Sequence, residues 1–328
     1  MNKYLQKQNE PFVLLDDTLS GNGSTLFIKP SNIIACENPA DLNKAFEQIS
    51  AESRNGQHLA GYLSYELGYL LEEKLAPLLP ASTERAVPLL WFGVFEEAIH
   101  LSPTQTNKFL ALQRSGDYEL KNLTPSMNEE SYCSAIGKVQ DYIAAGDTYQ
   151  VNYTFKHDFQ ISGDPMALFQ ELRQRQNVAN GAYIETGTHT VLSLSPEIFL
   201  STDGAHARTR PMKGTVQRGK TTKEDNAHKV WLTQDEKSRA ENLMIVDLLR
   251  NDMGRVCEVG SIEVTELFTV ETYRSLHQMT SNIVGKLRPE ITPTDLIKQL
   301  FPCGSITGAP KLRTMEIISE LEEQPRGI

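Results

Sequence analysis

A lysine and a glutamate lie on either side of a predicted hairpin turn. Lys213 occurs in the stretch RTRPMKGT and Glu197 in SLSPEIF, and the Asp-Gly pair between them is typical of a tight turn. With a three-residue loop at 203–205, Ser195 lies opposite Lys213, and Glu197 is a diagonal neighbour on the same face, within side-chain reach. A two-residue loop would move Glu197 to the other face, so the geometry depends on the hairpin register.

In a pocket, this pair could combine a nucleophile with an acid or base. Burial lowers the pKa of a lysine and raises that of a glutamate, which brings both groups toward catalytic values. On the surface, the same two residues would form a cross-strand ion pair that contributes little to stability. The local sequence leaves both interpretations open.

A second carboxylate, Glu241, is predicted to lie on a helix in line with Ile245 and Leu248. An unpaired charge on that apolar face would be costly to bury, so it would need a cation or a metal ion. The alternative is an i,i+4 contact with Lys237 at the solvent edge of the helix.

The stretch CGSITGAPKL is a glycine-rich turn that opens into a predicted helix. It lacks the spacing of a nucleotide-binding P-loop, and Pro310 interrupts the row of backbone N–H groups just before Lys311. Such a turn can bind an anion such as a carboxylate, or it can serve the fold alone. The seven histidines are scattered and give no metal-binding motif.

The composition is that of an acidic globular protein. Its 328 residues are 39% hydrophobic and 23% charged, with a formal net charge of −10. The lack of a basic run argues against a nucleic-acid partner, and the apolar runs are far shorter than the ~18 residues of a membrane span. The amino terminus has no secretory signal, and the cysteine spacing is typical of reduced thiols. We therefore expect a cytoplasmic protein with no membrane partner.

Strands and helices are mixed without regular alternation, which favours an α+β fold. Helices are predicted for ADLNKAFEQISAES, for a segment that ends at Gly146, and for SRAENLMIVDLLRNDMGRV. Strands are predicted for DTYQVNYTFKHDF and for a series that runs from GAYIETG to RPMKGT. GSIEVTELFTVETYRSLHQMTSNIVGKL is predicted to begin as a strand and to continue as a helix.

Five segments resemble the chorismate-utilising enzymes in their order and spacing. They are GDTYQVN (146–152), SLSPEIF (193–199), RPMKGT (210–215), AENLMIVDLLRNDMGRV (240–256) and FPCGSITGAPKLRTMEII (301–318). The resemblance implies antiparallel sheets that form a sandwich core with outer helices. It also implies an amino-terminal region at 1–125 and a chorismate-binding catalytic region at 126–328.

Two positions resemble one branch of that family, the aminodeoxychorismate synthases. Anthranilate synthases usually have alanine where this chain has Lys213, and isochorismate synthases have a lysine where it has Gln150. The pair His277-Gln278 in HQMTS agrees with the aminodeoxychorismate branch. By resemblance, Lys213 would attack C2 of chorismate, and Glu197 would act first as an acid and then as a base.

The resemblance also implies the remaining site residues, a cofactor and a partner. Glu241 would help to hold Mg²⁺, and ammonia would come from a separate glutamine amidotransferase subunit. The positions implied to bind substrate are Gln150, Thr215, His277, Gly304, Ser305 and Thr307.

The carboxy-terminal motifs of the family are expected to be missing from a chain that ends at EEQPRGI. In the family these strands supply further substrate contacts and another Mg²⁺ carboxylate. Two alternatives therefore stand beside the leading hypothesis. One is an anthranilate synthase, and the other is a shortened, non-catalytic homologue that only binds chorismate or the amidotransferase.

Overall fold

Antiparallel strands and helices are mixed along the chain in the computed structural model, which describes residues 4–328. The strands are β1 (Phe12–Asp17), β2 (Gly23–Ile28), β3 (Asn32–Cys36), β4 (His58–Leu63), β5 (Leu90–Phe95), β6 (Ile99–Leu101), β7 (Tyr118–Pro125), β8 (Gln150–Val151), β9 (His157–Gly163), β10 (Asn180–Glu185), β11 (Thr190–Ser195), β12 (Ile198–Thr202), β13 (His206–Arg210), β14 (Met212–Gln217), β15 (Glu263–Thr272), β16 (Leu276–Lys286) and β17 (Gly308–Ala309). The helices are α1 (Leu42–Arg54), α2 (Leu67–Leu70), α3 (Pro103–Gln113), α4 (Glu129–Ala145), α5 (Pro165–Arg175), α6 (Thr222–Gln234), α7 (Glu236–Gly254), α8 (Pro293–Leu300) and α9 (Lys311–Leu321).

The first strands build a sandwich of two antiparallel sheets. A five-stranded sheet in the order β11-β10-β1-β2-β6 faces a three-stranded sheet in the order β3-β5-β4. Side chains alternate along β1, so Phe12 and Leu14 face one side of the sheet and Val13 the other. Val13 belongs to the buried cluster between the two sheets, together with Trp91 and Phe95.

Helices cover the outer faces of this sandwich. Phe109 of α3 and Phe169 of α5 pack against the outer face of the five-stranded sheet. Phe46 and Ile49 of α1 pack against Ile34 of the three-stranded sheet. The predicted α+β fold, with sandwiched antiparallel sheets and outer helices, is therefore confirmed.

Strand pairing crosses position 125, the predicted boundary between the two regions. β10 and β11 come after this position, yet they complete the first sheet by pairing with β1. β7 and β9 lie on either side of it and pair with each other. The division into 1–125 and 126–328 stays a prediction, and residues from both sides of it share sheets.

A second five-stranded sheet carries the hairpin that the sequence predicts. Its centre is β16, which pairs with β13 and β14 along one edge and with β15 along the other, while β12 pairs with β13. α7 packs on one face of this sheet, where Ile245 and Leu249 meet Ile283 in a continuous core. The helix thereby forms a rigid backing for the strands that carry the candidate site.

Three of the predicted helices are confirmed, and two other predictions are wrong. The helices are α1, α4 and α7, of which α4 ends at Gly146 with φ +79. The second part of 260–287 is not a helix but the strand β16, which is buried on both faces for much of its length and therefore lacks polar–apolar alternation. The predicted strand at 147–159 is interrupted, because the backbone of Asn152 and Thr154 bonds to Thr307 and Glu322 instead of to a long partner strand.

Membrane-crossing helices and disulfide bonds are both absent from residues 4–328. No helix there combines the length and the apolar composition that a bilayer crossing requires. The four cysteines are free; Cys36, Cys257 and Cys303 are buried and Cys133 is exposed.

Candidate active site

The predicted hairpin has the three-residue loop at 203–205 between β12 and β13. Its pairing is irregular, because the register shifts between Ile198 and Ser201. Glu197 lies just before β12 and outside the regular ladder. The position of Glu197 therefore follows from the irregular end of the hairpin, which a simple diagonal pairing does not describe.

A β-bulge sets the direction of Lys213. The register of β14 against β16 shifts between Met212 and Thr215, which places Lys213 and Gly214 in the bulge. Gly214 has φ +91, and a Cβ there would lie 2.7 Å from the Cβ of Ser238 on α7. The glycine therefore permits both the bulge and the close approach of the helix.

The side chains of Lys213 and Glu197 converge on Ser305. Lys213 Nζ donates a hydrogen bond of 3.2 Å to the backbone oxygen of Ser305. Burial raises the pKa of Glu197, and a hydrogen bond with the Ser305 side chain and the charge of Lys213 oppose this rise. Glu197 Oε1 is buried and has no hydrogen-bond partner among residues 4–328. The arrangement thus joins an amine to a carboxyl group whose protonated form is favoured by burial and whose free oxygen can bind a ligand.

The glycine-rich turn between α8 and α9 supplies Ser305. Gly304 packs against α7, since a Cβ on it would lie 2.4 Å from Cδ2 of Leu248. Ser305 Oγ lies 3.2 Å from the sulfur of Cys303. Thr307 is fully buried, and its hydroxyl donates to the backbone oxygen of Gly304 at 3.0 Å. Thr307 therefore stabilises the turn through its hydroxyl, whereas Ser305 meets the two reactive side chains.

Gln150 lies beside the same turn. It is opposite Ala309 in the short ladder of β8 and β17. Gly308 makes this approach possible, because a Cβ there would lie 2.0 Å from the backbone oxygen of Gln150. Gln150 Oε1 is buried with no hydrogen-bond partner in the described part of the chain. The ladder therefore brings an available amide oxygen next to the segment that contains Ser305.

Thr215 and His277 lie on opposite sides of their sheet. Thr215 is exposed and donates to Gln278 Oε1 at 3.0 Å. His277 is 0% exposed; its Nε2 lies 2.8 Å from Asp225 Oδ1, and its Nδ1 lies 3.1 Å from Thr272 Oγ1. Because successive residues of a strand face opposite sides, Gln278 rather than His277 shares the face of Thr215.

The partner of His277 was missed in the sequence. Asp225 of α6 accepts hydrogen bonds of 2.8 and 2.9 Å from the guanidinium of Arg218, and this pairing holds the pKa of Asp225 far below its usual range. No helix was predicted for this segment, so nothing in the pattern joined Asp225 to His277. Ser238, which packs on the bulge, was missed for a similar reason: a small polar residue in a helix gives no periodic signal.

Glu241 has the surroundings of a surface residue. Its side chain is 41% exposed, and Oε1 lies 3.8 Å from Nζ of Lys237, the contact expected from the i,i+4 spacing. Within residues 4–328, no group of three or more His, Cys, Asp or Glu side chains is placed to hold a metal ion. Mg²⁺ keeps several water ligands and commonly takes one or two protein carboxylates. Glu241 therefore fits Mg²⁺ as a single oxygen ligand but does not form a site alone.

Lys311, the lysine of the glycine-rich motif, has a structural environment. Its Nζ donates to Asp252 Oδ2 at 2.7 Å and to the backbone oxygens of Leu300 and Pro302 at 3.1 and 3.3 Å. Both charged side chains are 8% exposed. Burial raises the pKa of Asp252, although the charge of Lys311 opposes this rise. The buried pair fastens α7 to the chain that leads into the turn.

Lys311→Met is expected to destabilise the protein by about 3–5 kcal/mol, because it leaves Asp252 buried without its cation. Chemical denaturation with a full two-state fit measures this change. The double variant Lys311→Met, Asp252→Leu is expected to recover most of the loss, since it removes both charges together. A double variant no more stable than Lys311→Met would contradict the stated role of the pair.

Comparison with known proteins shows the family of the chain. Residues 10–328 match a family described as chorismate binding enzyme. Aminodeoxychorismate synthase component 1 of Escherichia coli strain K12 is 44% identical over 201 residues, which cover 61% of this chain and 44% of that protein. The protein of the same name from Salmonella typhimurium is 35% identical over 285 residues, which cover 81% of this chain and 62% of that protein. The chain thus spans between 44% and 62% of the length of these relatives.

Solved structures show the same fold. Anthranilate synthase component I from Streptococcus pneumoniae superposes with a TM-score of 0.76 over 98% of this chain and 80% of that protein. The sequence identity is 24%, so this likeness concerns the fold alone.

Proposed function

The chain belongs to the chorismate binding enzymes, and we propose that it provides the chorismate-converting component of an aminodeoxychorismate synthase. In this reaction, chorismate and ammonia give 4-amino-4-deoxychorismate and water, on the route to 4-aminobenzoate and folate. The relatives of that name, at 44% and 35% identity, support the proposal. We assign the catalytic region to 126–328.

The meeting of Lys213 and Glu197 at Ser305 is the observation that carries this proposal. Lys213 Nζ is anchored 3.2 Å from the backbone oxygen of Ser305, and the Ser305 side chain and the charge of Lys213 both act to lower the pKa of the Glu197 carboxyl group. An amine and a carboxyl group held on one residue can act on adjacent parts of one small substrate. This is the pairing that a covalent displacement with acid assistance requires.

In the first step, the nitrogen of the Lys213 side chain attacks C2 of chorismate. The ring double bonds shift, the bond from C4 to its hydroxyl breaks, and Glu197 gives its proton so that water leaves. Burial favours the protonated form of Glu197, and its Oε1 has no other partner in the described chain. Gln150, whose Oε1 is likewise available, would bind the substrate beside this centre.

In the second step, ammonia adds at C4 and the double bonds return. The bond between Lys213 Nζ and C2 breaks, which frees the enzyme, and the Glu197 carboxylate accepts a proton from the incoming nitrogen. Dividing one displacement into two easier steps is the usual advantage of a covalent route. We propose that a glutamine amidotransferase subunit supplies the ammonia in the cytoplasm.

Mg²⁺ is part of the proposal, with Glu241 as one protein ligand. When bound, the metal would offset the negative charge of the substrate and orient its carboxylate. Glu241 is suited to this role by its partial exposure and by its weak contact with the exposed Lys237. Gly304, Ser305 and Thr307 would shape the pocket at the carboxylate end.

Incubation of the protein with chorismate, Mg²⁺ and ammonium is expected to yield 4-amino-4-deoxychorismate. A lyase then converts this product to 4-aminobenzoate, which is identified by chromatography. Glutamine in place of ammonium is expected to give no product without the amidotransferase subunit. Formation of anthranilate would instead assign the chain to the other branch, and binding without turnover would favour a non-catalytic role.

A further inference from the structure

We propose that Arg326 is a positioning residue, which fixes the chain that follows Gln150 against the turn that carries Ser305. The expected effect on substrate binding rests on the function proposed above, whereas the contacts of Arg326 do not depend on it. No local pattern pointed to Arg326 in the sequence. Its assignment comes from the contacts of its guanidinium group.

The guanidinium group of Arg326 joins two separate segments of the chain. Nη1 donates to the backbone oxygen of Ile306 at 2.6 Å, and Nη2 donates to that of Asn152 at 2.5 Å. The backbone N–H of Asn152 donates to the oxygen of Thr307 at 2.7 Å. Arg326 thus lies over the junction of the segments that contain Gln150 and Ser305. We call these contacts the Arg326 clamp.

Two neighbours fix the orientation of the clamp. Glu322 accepts from Arg326 Nε at 2.8 Å and from Nη2 at 2.7 Å, and the two side chains are only 6% and 11% exposed. Glu322 Oε1 also accepts from the backbone of Thr154 at 2.7 Å. The ring of Tyr65 lies 4.4 Å from the guanidinium carbon. The guanidinium plane is therefore held by a carboxylate along one edge and an aromatic ring on its face.

Only an arginine can make all these contacts at once. Its planar group presents five N–H donors in a fixed geometry, whereas lysine presents one compact ammonium group. Arg326→Lys therefore keeps the charge that balances Glu322 but cannot reach both backbone oxygens. This variant separates the effect of charge from the effect of geometry.

Arg313 offers a matched control on α9. It also pairs with carboxylates, Asp147 at 3.2 Å and Glu316 at 2.9 Å, and its guanidinium carbon lies 5.2 Å from the ring of Tyr142. None of these partners is Asn152, Ile306 or Glu322, the residues to which Arg326 donates its hydrogen bonds. Arg313→Lys thus repeats the chemical change without touching the clamp.

Amide hydrogen exchange in the purified protein tests the clamp without relying on turnover. In Arg326→Lys, exchange at the amides of Asn152 and Thr307 is expected to be roughly tenfold faster or more, because charge-assisted hydrogen bonds are lost. Arg313→Lys is expected to match the wild type. For the proposed reaction, the KM for chorismate is expected to rise by more than kcat falls in Arg326→Lys alone.

If Arg326→Lys leaves amide exchange at Asn152 and Thr307 unchanged, or raises the exchange rate uniformly across the whole chain, the clamp is overturned. This holds whatever the effect on turnover. If exchange at these two amides is faster but the KM of an active enzyme is unchanged, Arg326 stabilises the fold without affecting the substrate. That result overturns its positioning role. If the wild type does not use chorismate, the exchange result still decides the clamp. If Arg326→Lys fails to fold, Glu322→Gln is expected to show the same local pattern with a smaller amplitude. Unchanged exchange in that variant overturns the proposal.

Discussion

Lys213→Ala is expected to lower kcat for the conversion of chorismate by about 10³-fold or more, because it removes the proposed nucleophile. The variant should fold normally, since Lys213 lies in a bulge whose conformation depends on Gly214. Steady-state kinetics with ammonium as the nitrogen donor measure the loss, and circular dichroism checks the fold.

Lys220→Ala is the control for this prediction. Lys220 is an exposed lysine in the same stretch of chain. Its removal changes the net charge by the same amount as the loss of Lys213. If turnover in Lys213→Ala is within about tenfold of that in Lys220→Ala, the loss is much smaller than that expected for a nucleophile. This result would remove Lys213 from the mechanism.

Glu197→Gln is expected to lower kcat by roughly 10²–10⁴-fold, the range typical of a lost general acid or base. The wild type should lose activity as the pH rises through the pKa of Glu197, because the first step needs the protonated carboxyl group. Burial raises that pKa, so the loss should occur at a higher pH than for an ordinary glutamate. The pH dependence of kcat measures this loss of activity at high pH, which should be absent from Glu197→Gln.

The same substitution has an expected effect on stability. A folded-state pKa above the unfolded value means that the folded protein holds more protons between the two values, so stability falls as the pH rises across that window. Glu197→Gln removes this cost, and the variant should gain stability relative to the wild type from about pH 4.3 upward. Urea unfolding at several pH values measures the difference.

Glu263→Gln is the matched control, since Glu263 is an exposed glutamate of β15 in the same sheet. Its free energy of unfolding should follow the wild type at every pH. A stability difference between Glu197→Gln and the wild type that stays constant with pH would show that Glu197 does not titrate with a raised pKa.

The sequence predicted elements well where one periodicity dominates. α7 combines a long helical pattern with Gly254 at its end, and the structure has the helix at Glu236–Gly254. It predicted β16 poorly, because the consecutive residues Met279, Thr280 and Ser281 are all fully buried, which means that the strand is buried on both faces. Such a strand has no alternation to separate it from a buried helix.

The site was only partly accessible from the sequence, because its geometry depends on irregular backbone. The hairpin turn was predicted with a loop of either two or three residues, but the register shift near Glu197 and the bulge at Lys213 were not predicted. A bulge adds a residue to one strand and re-aims its side chains, and no local pattern fixes where this occurs. The meeting at Ser305 is a long-range contact that only the folded chain reveals.

Two other residues illustrate the same limit. His277 stands in a motif that suggests a substrate contact, yet its ring is buried against Asp225 from a helix that the sequence did not reveal. Arg326 contacts Asn152, a residue distant in the chain. Contacts between distant segments are set by packing, so a single sequence does not specify them.

The central claim is that Lys213 forms a covalent bond with chorismate. Its most direct test is mass spectrometry of the wild-type protein quenched after exposure to chorismate and Mg²⁺ without ammonia, followed by peptide mapping. The expected result is a mass increase equal to chorismate less one water, located on the peptide that contains Lys213. An active enzyme that carries no such adduct, or carries it on another residue, would contradict the account.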